Sequence, residues 1–291
     1  MVLLLGLVCG GQLFAAQLAG RPGDDVVDLI KTMKPGDELI LAAGTYKSTK
    51  YNEIKGMHGT KDAWFTIRGV SSGSVVIQNA IKENTFNITD CSYFRFYDLE
   101  ITGRIGGPAF KWMGDCTDMI VENCYMHDMG GQGISCSSIK SMARMRVSHC
   151  HISFTGANGE GFYLAHQDGS APLTDSLFEC NLVHDMGGTR GSGFQGDGFD
   201  VNPGCTGNTI RYNAIYRTQC PGIVVENEKD GAPNTIEGNM SWDCLDDADI
   251  QVNANAIVKD NVVRGGKRQL VLGNKNVQAS NNTVLDAATV S

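Results

Sequence analysis

The feature that most constrains this chain is an imperfect repeat. It consists of an apolar residue, two variable ones, Cys or Asn, one variable residue and a second apolar residue. It reads Phe96…Leu99…Ile101, Val121…Cys124…Met126, Val147…Cys150…Ile152 and Leu177…Cys180…Leu182. It continues as Ile210…Asn213…Ile215, Ile236…Asn239 and Val258…Asn261…Val263. Successive starts lie about 20–33 residues apart, the spacing of solenoid coils, and units this short bury an apolar face only by stacking on one another. Equivalent positions on neighbouring parallel strands sit about 4.8 Å apart. The repeat therefore predicts one column of Cys124, Cys150 and Cys180 that continues as Asn213, Asn239 and Asn261. Stacked asparagines satisfy buried polar groups by bonding one another's amides. A second column, five residues before the repeat starts, holds Cys91, Cys116 and Cys205. Small thiols suit such inward corners. With no CxxC or Cys-His spacing for a metal site, these columns are read as core thiols rather than disulfides.

A second strand set follows Gly-rich turns: Gly133–Cys136, Gly161–Leu164, Gly198–Val201, Gly222–Val225 and Asp249–Val252. Apolar residues alternate there with exposable ones, so the outward side chains form columns across coils. That makes this set the candidate working surface. Before the coils, residues 24–34 form an amphipathic pattern opened by Asp24 or Asp25 and closed by Pro35-Gly36, a short helix that would cap the stack. The expected fold is all-β: a single-domain right-handed parallel β-helix over residues 17–291 with a short N-terminal capping helix. The 36 glycines against 7 prolines fit many tight turns.

Residues 1–16 read as a signal peptide, with cleavage after Ala15 or Ala16, which predicts a secreted protein, extracellular or periplasmic. A buried first strand is the other reading of that segment. The apolar run Val2–Val8 is too short to span a bilayer, and no later segment is apolar enough. No C-terminal cap is visible after the coil at Val277–Val284, so the stack is expected either to continue or to be covered. The formal charge of −8 and pI near 5.2 disfavour nucleic acid. They leave an anionic polysaccharide open, because a divalent cation bridges acidic protein to acidic sugar.

The strings KPGDELILAAGTYKS, FTIRGVSSGSVVIQ and FNITDCSYFRFYDLEITG resemble the opening of pectate-lyase-like right-handed β-helix proteins. NGEGFYL and GDGFDVNPGCTGNTIRYN resemble later coils of the same superfamily, and the resemblance covers roughly residues 24–285. It implies a polysaccharide lyase acting on a uronate polymer with possible calcium assistance. The chain departs from two subfamily patterns. The Glu-x-x-Lys-Ser string of alginate- and chondroitin-lyase-like members is absent. Of the polygalacturonase-like motifs only GDGFD and Asp246-Asp247 have faint counterparts, separated by about two coils, and the Gly-His-Gly and Arg-Ile-Lys motifs are missing.

Uronate elimination needs a cation or Arg on the carboxylate, a base for the C5 proton and an acid for the leaving oxygen. Coil alignment brings Asp197, Asp200 and Glu226 toward one groove as candidate Ca2+ ligands. Lys229 and Arg217 lie in or near the same coil as candidate catalytic groups. His184, in the second copy of His-Asp-Met-Gly-Gly (His127–Gly131 and His184–Gly188), is a third. Tyr163, His166 and Arg190 are candidate substrate contacts, and His149, His151, Trp112, Tyr216 and Trp242 are further polar or stacking groups. Each has a structural reading too: turn acids cap turns, a loop lysine is solvated, and a duplicated His-Asp marks a repeat corner. The competing functions are a β-helix glycoside hydrolase, a uronate epimerase, and a non-catalytic glycan-binding or surface protein. Ice binding is disfavoured, because no regular Thr-x-Thr ladder runs along the coils.

Overall fold

The computed structural model describes residues 15–188, 195–226, 231–245, 248–273 and 276–285. Among them the chain winds as a parallel β-helix, with strands in two sheets of 21 and 10 members. The larger sheet contains two main runs, joined where the long strand Phe110–Glu122 turns a corner and pairs with both. The strand Ile134–Ala143 branches to a short third run at Leu173–Thr174 and Cys205–Thr206. Every register between named strands is parallel, so each coil sets its residues over those of the last. The interior is a continuous column of apolar side chains. Phe162 and Phe199 stack in it at 4.2 Å and Phe65 on Phe94 at 4.7 Å.

The cap is shorter than its sequence pattern. The helix spans Val26–Ile30, with Asp25 as N-cap accepting from the Asp28 N–H at 3.0 Å. Lys31–Met33 tighten into turns, with the N–H groups of Thr32 and Met33 bonded three residues back. The Thr32 hydroxyl also donates to the Leu29 carbonyl, which favours the tighter turn. Ahead of the helix, Gln17–Gly20 is already a strand, paired with Glu38–Leu41. Residues 1–14, which hold most of the expected signal segment, lie outside the described residues.

The asparagine ladder exists, with one correction of register. Val147 pairs with Phe178, not Leu177, so the residue below Cys150 is Asn181 and not Cys180. Cys180 sits one position earlier at φ 56°, in a left-handed corner column with Asn123, His149 and Tyr212. That conformation turns its side chain out of the core, and Cys180 is exposed. The observed column runs Cys124, Cys150, Asn181, Asn213, Asn239, Asn261, Asn282. Each of Asn181, Asn213, Asn239 and Asn261 donates from both its backbone N–H and its side-chain amide to the next asparagine's Oδ1, at 2.9–3.1 Å. A second ladder, Ser176–Asn208–Asn234, was not singled out in the sequence. The second thiol column holds, with Met142 and Leu173 between Cys116 and Cys205.

Cys91, Cys116, Cys124, Cys136, Cys150 and Cys244 are buried thiols outside any disulfide. Burial pushes the Cys91 and Cys244 thiols up to about 12 and that of Cys116 to about 11. Native protein is therefore expected to react with a maleimide at Cys180, while these six react only on unfolding, because the thiolate is the nucleophile. Mass mapping of the labelled protein checks this, and early labelling at Cys124 or Cys150 would contradict the column.

Candidate functional site

The site is built on the run of strands that follow Gly-rich turns. Gly161 and Gly198 stand at the same height in consecutive coils. A Cβ on Gly161 would meet the Gly198 carbonyl at 2.6 Å, and one on Gly198 would meet that of Gly222 at 2.3 Å. Only glycine lets the coils approach this closely. The residues just before these two glycines, Glu160 and Asp197, are thereby stacked. Two residues after Gly198, between the inward Phe199 and Val201, comes Asp200. It pairs with Tyr163 on one side and Val224 on the other.

Glu160, Asp197 and Asp200 each offer a carboxylate oxygen, and these oxygens lie within 4.8 Å of one another. Asp197 and Asp200 are 8% exposed and Glu160 is 0% exposed. One Glu160 oxygen accepts from Gln132 Nε2 at 2.9 Å, and the other, Oε1, is buried without a partner. Asp197, Asp200 and Glu226 line an open polar cleft of about 510 Å³, together with Gln167, Gln251 and Lys267.

Crowding three acids away from water opposes their ionisation. Burial first, then the Glu160 charge, pushes the Asp200 carboxyl up to about 7. Burial and the Asp200 and Glu160 charges raise Asp197 well above the carboxylate range, and burial raises Glu160. The Tyr163 phenol is pushed to about 12 by burial and by Asp200 beside it. An all-oxygen donor set with an unsatisfied buried oxygen suits a hard divalent cation such as Ca2+ or Mg2+. The alternative is a cluster kept neutral by shared protons.

Of the sequence candidates, the structure brings together Asp197, Asp200, Glu226 and Tyr163. Glu226 lies one coil on, its N–H bonded to the Val201 carbonyl, beside the close trio and not in it. The third member is Glu160, which the sequence reading passed over although Glu160-Gly-Phe repeats as Asp197-Gly-Phe. His166 pairs with Asp168 at 2.7 Å in the turn that also carries Gln167. Lys229 and Arg190 lie outside the described residues, as do Asp246 and Asp247.

Arg217 and His184 belong elsewhere. His184 is in the ten-stranded sheet, and Arg217 follows that sheet's next strand. Arg217 makes a two-point bond to Asp185 and lies 4.5 Å above the Tyr216 ring. His184 is held by Asp185 at 2.6 Å and by His151 at 2.7 Å. His184 is one member of a ring stack running His127, Tyr125, His151, His184, Tyr216 and Trp242. Sequence proximity misleads here, because a coil carries neighbouring residues round to different faces. Trp112 is fully buried, so it offers no stacking surface.

A family model described as "right handed beta helix region" matches residues 39–183. No curated protein matches the chain by sequence. Among solved structures, a pectate lyase, Pel9A, is similar at a TM-score of 0.60 and 16% identity, over 94% of this chain and 80% of that one. An alginate lyase from Paenibacillus sp. str. FPU-7 is similar at 0.52 and 17% identity, over 92% of this chain and 99% of that one. At such identities the likeness is one of fold. Among the described residues no helix is long and apolar enough to cross a membrane.

Proposed function

We propose that this chain, a member by fold of the pectate-lyase-like right-handed β-helix superfamily, is an exported enzyme that cleaves an acidic, uronate-containing polysaccharide by cation-assisted β-elimination. The observation that carries the reading is the buried trio Glu160, Asp197 and Asp200 in and beneath an open polar cleft, with one Glu160 oxygen unsatisfied. The solved structures similar in fold include a pectate lyase and an alginate lyase, which supports the substrate class.

Glu160, Asp197 and Asp200 would hold the cation, with Glu226 at the edge. When bound, such an ion neutralises a uronate carboxylate and acidifies the C–H beside it. The acidified C5 proton then passes to a general base. As that proton leaves, the C4–C5 double bond forms and the C4–O bond breaks. The Tyr163 phenol stays protonated up to about 12 and is placed beside Asp200 to give a proton to the departing oxygen.

The raised carboxyl pKa values also favour a second reading, hydrolysis by a carboxylic acid and carboxylate pair. Incubation with pectate, alginate and glycosaminoglycans, with calcium or chelator, separates the two. Elimination is expected to give an ultraviolet-absorbing unsaturated product in calcium only. New reducing ends without absorbance would move the assignment to hydrolysis. Neither signal on any of these polymers would sink the enzyme reading.

A further inference from the structure

The outward column through Asp200 runs back across the coils as Tyr163, Ser135 and Lys111, residue paired with residue. Lys111 is the unusual member. Burial holds its ammonium below the ordinary lysine range, yet among the described residues no carboxylate pairs with it. Its Nζ donates instead to the Ser135 hydroxyl at 3.2 Å and to the Ser137 hydroxyl. The two hydroxyls lie 3.2 Å apart. A register shift brings Ser137 in: Lys111 pairs with Ser135, but Met113 pairs with Ser138. The bulge adds a residue and aims a second hydroxyl at the amine.

The hydrogen count shows what this cluster lacks. An ammonium has three N–H donors and no acceptor, and two are used. One serine hydroxyl hydrogen serves the other serine, so one is left. A spare N–H, a spare O–H and an uncompensated positive charge remain, the complement of a carboxylate's two oxygens and its charge. A partly desolvated charge without a counter-ion is costly to the free protein, and an arriving anion would offset that cost.

We infer that Lys111, Ser135 and Ser137 form a carboxylate-binding subsite, taking a uronate of the same polymer whose cleaved unit lies at Glu160, Asp197 and Asp200. This rests on the acidic-polysaccharide reading above. Lys111 is three coils from Asp200, about 14 Å at the strand spacing, so the two sites are several sugar rings apart. The polymer then lies along the solenoid axis, across the strands. Short oligomers cannot reach both sites, and long ones can.

The test is calorimetric binding of dimeric and hexameric galacturonate and mannuronate oligomers to the full chain. The proteins are wild type, Lys111→Met and Lys111→Arg, at low and high salt, with calcium present throughout and turnover held down by low temperature. Lys111→Met is expected to weaken hexamer binding about tenfold or more and to flatten its salt dependence. Dimer binding at the acid cluster should not change. Lys111→Arg should recover most of the affinity. Thermal stability separates a binding role from a structural one. Removing an unpaired buried charge should leave Tm unchanged or higher, whereas removing a structural brace should lower it. Equal affinities of Lys111→Met and wild type for hexamers would overturn the subsite alone, as would a fall in Tm with equal losses for dimer and hexamer. Wild-type protein that binds neither uronate at any length would overturn the acidic-polysaccharide reading itself.

Discussion

Asp200→Asn is expected to abolish cation-dependent activity, with a loss of about a hundredfold or more, while making the cation-free protein more stable at neutral pH. The two effects share one cause. Asp200 has its carboxyl raised from 3.8 to about 7, so the folded chain keeps a proton that the unfolded chain releases near 4. An acid raised by folding contributes stability that is lost as pH climbs from the unfolded value through the folded one. Without a cation, wild type should therefore lose stability between about pH 4 and 7, and Asn, isosteric and uncharged, should remove much of that loss. Calcium should restore wild-type stability, because binding to the native state alone raises Tm by mass action, and should do little for Asp200→Asn. Thermal melts across pH with and without calcium, run beside the activity assay, check both halves. A variant that keeps the full calcium shift would exclude Asp200 as a ligand.

Glu160→Gln tests the member that sequence reading missed, and the reason for the miss is geometric. The acid-Gly-Phe string occurs at Glu160 and at Asp197, and the glycines of the two copies stack in adjacent coils. The intervening coil carries an inserted turn around His166–Ser170, so a fixed spacing does not align the copies. The trio becomes visible only when strand pairing sets Phe162 over Phe199. Asp197, Asp200 and Glu226 were legible because their coils are short and regular. The fold was legible for a related reason: a stack needs the same side chain at the same height in every coil, and that requirement leaves a periodic trace. The slip at Cys180 shows its limit. Leu177 and Phe178 both fit an apolar anchor, and Cys180 and Asn181 both fit the corner. The choice rests on backbone conformation, since Cys180 takes the left-handed φ of 56° and leaves Asn181 to face inward. Lys111 gave no sequence signal at all, because its significance lies in the counter-ion it lacks.

Asn239→Ala should be among the most destabilising single changes in the chain, on the order of 4 kcal/mol. Asn239 Oδ1 accepts from both the Asn213 backbone N–H and its side-chain amide, and Asn239 Nδ2 donates to the Ile210 carbonyl and to Asn261 Oδ1. Alanine leaves the Asn213 backbone N–H buried without a partner, the Asn213 amide keeps only the Phe178 carbonyl, and Asn261 Oδ1 keeps only the Asn239 backbone N–H. In a solenoid each coil is held mainly by its neighbours, so a lost rung weakens the junction between two halves of the stack rather than one local contact. Cysteine should be tolerated better, since Cys150 fills the same column with its thiol directed to the Val121 carbonyl at 3.6 Å. Aspartate offers the sharper test. Its carboxylate would accept from Asn213 but face the Ile210 carbonyl and Asn261 Oδ1 with an oxygen that cannot donate. Protonation restores that donor, so Asn239→Asp should be closer to wild type in acid and should lose stability as pH rises through its elevated folded pKa. Denaturant midpoints across pH, with hydrogen exchange at the Asn213 amide, measure both effects. If Asn239→Ala fell within about 1 kcal/mol of wild type, the ladder would be a consequence of coil packing and not a cause of it.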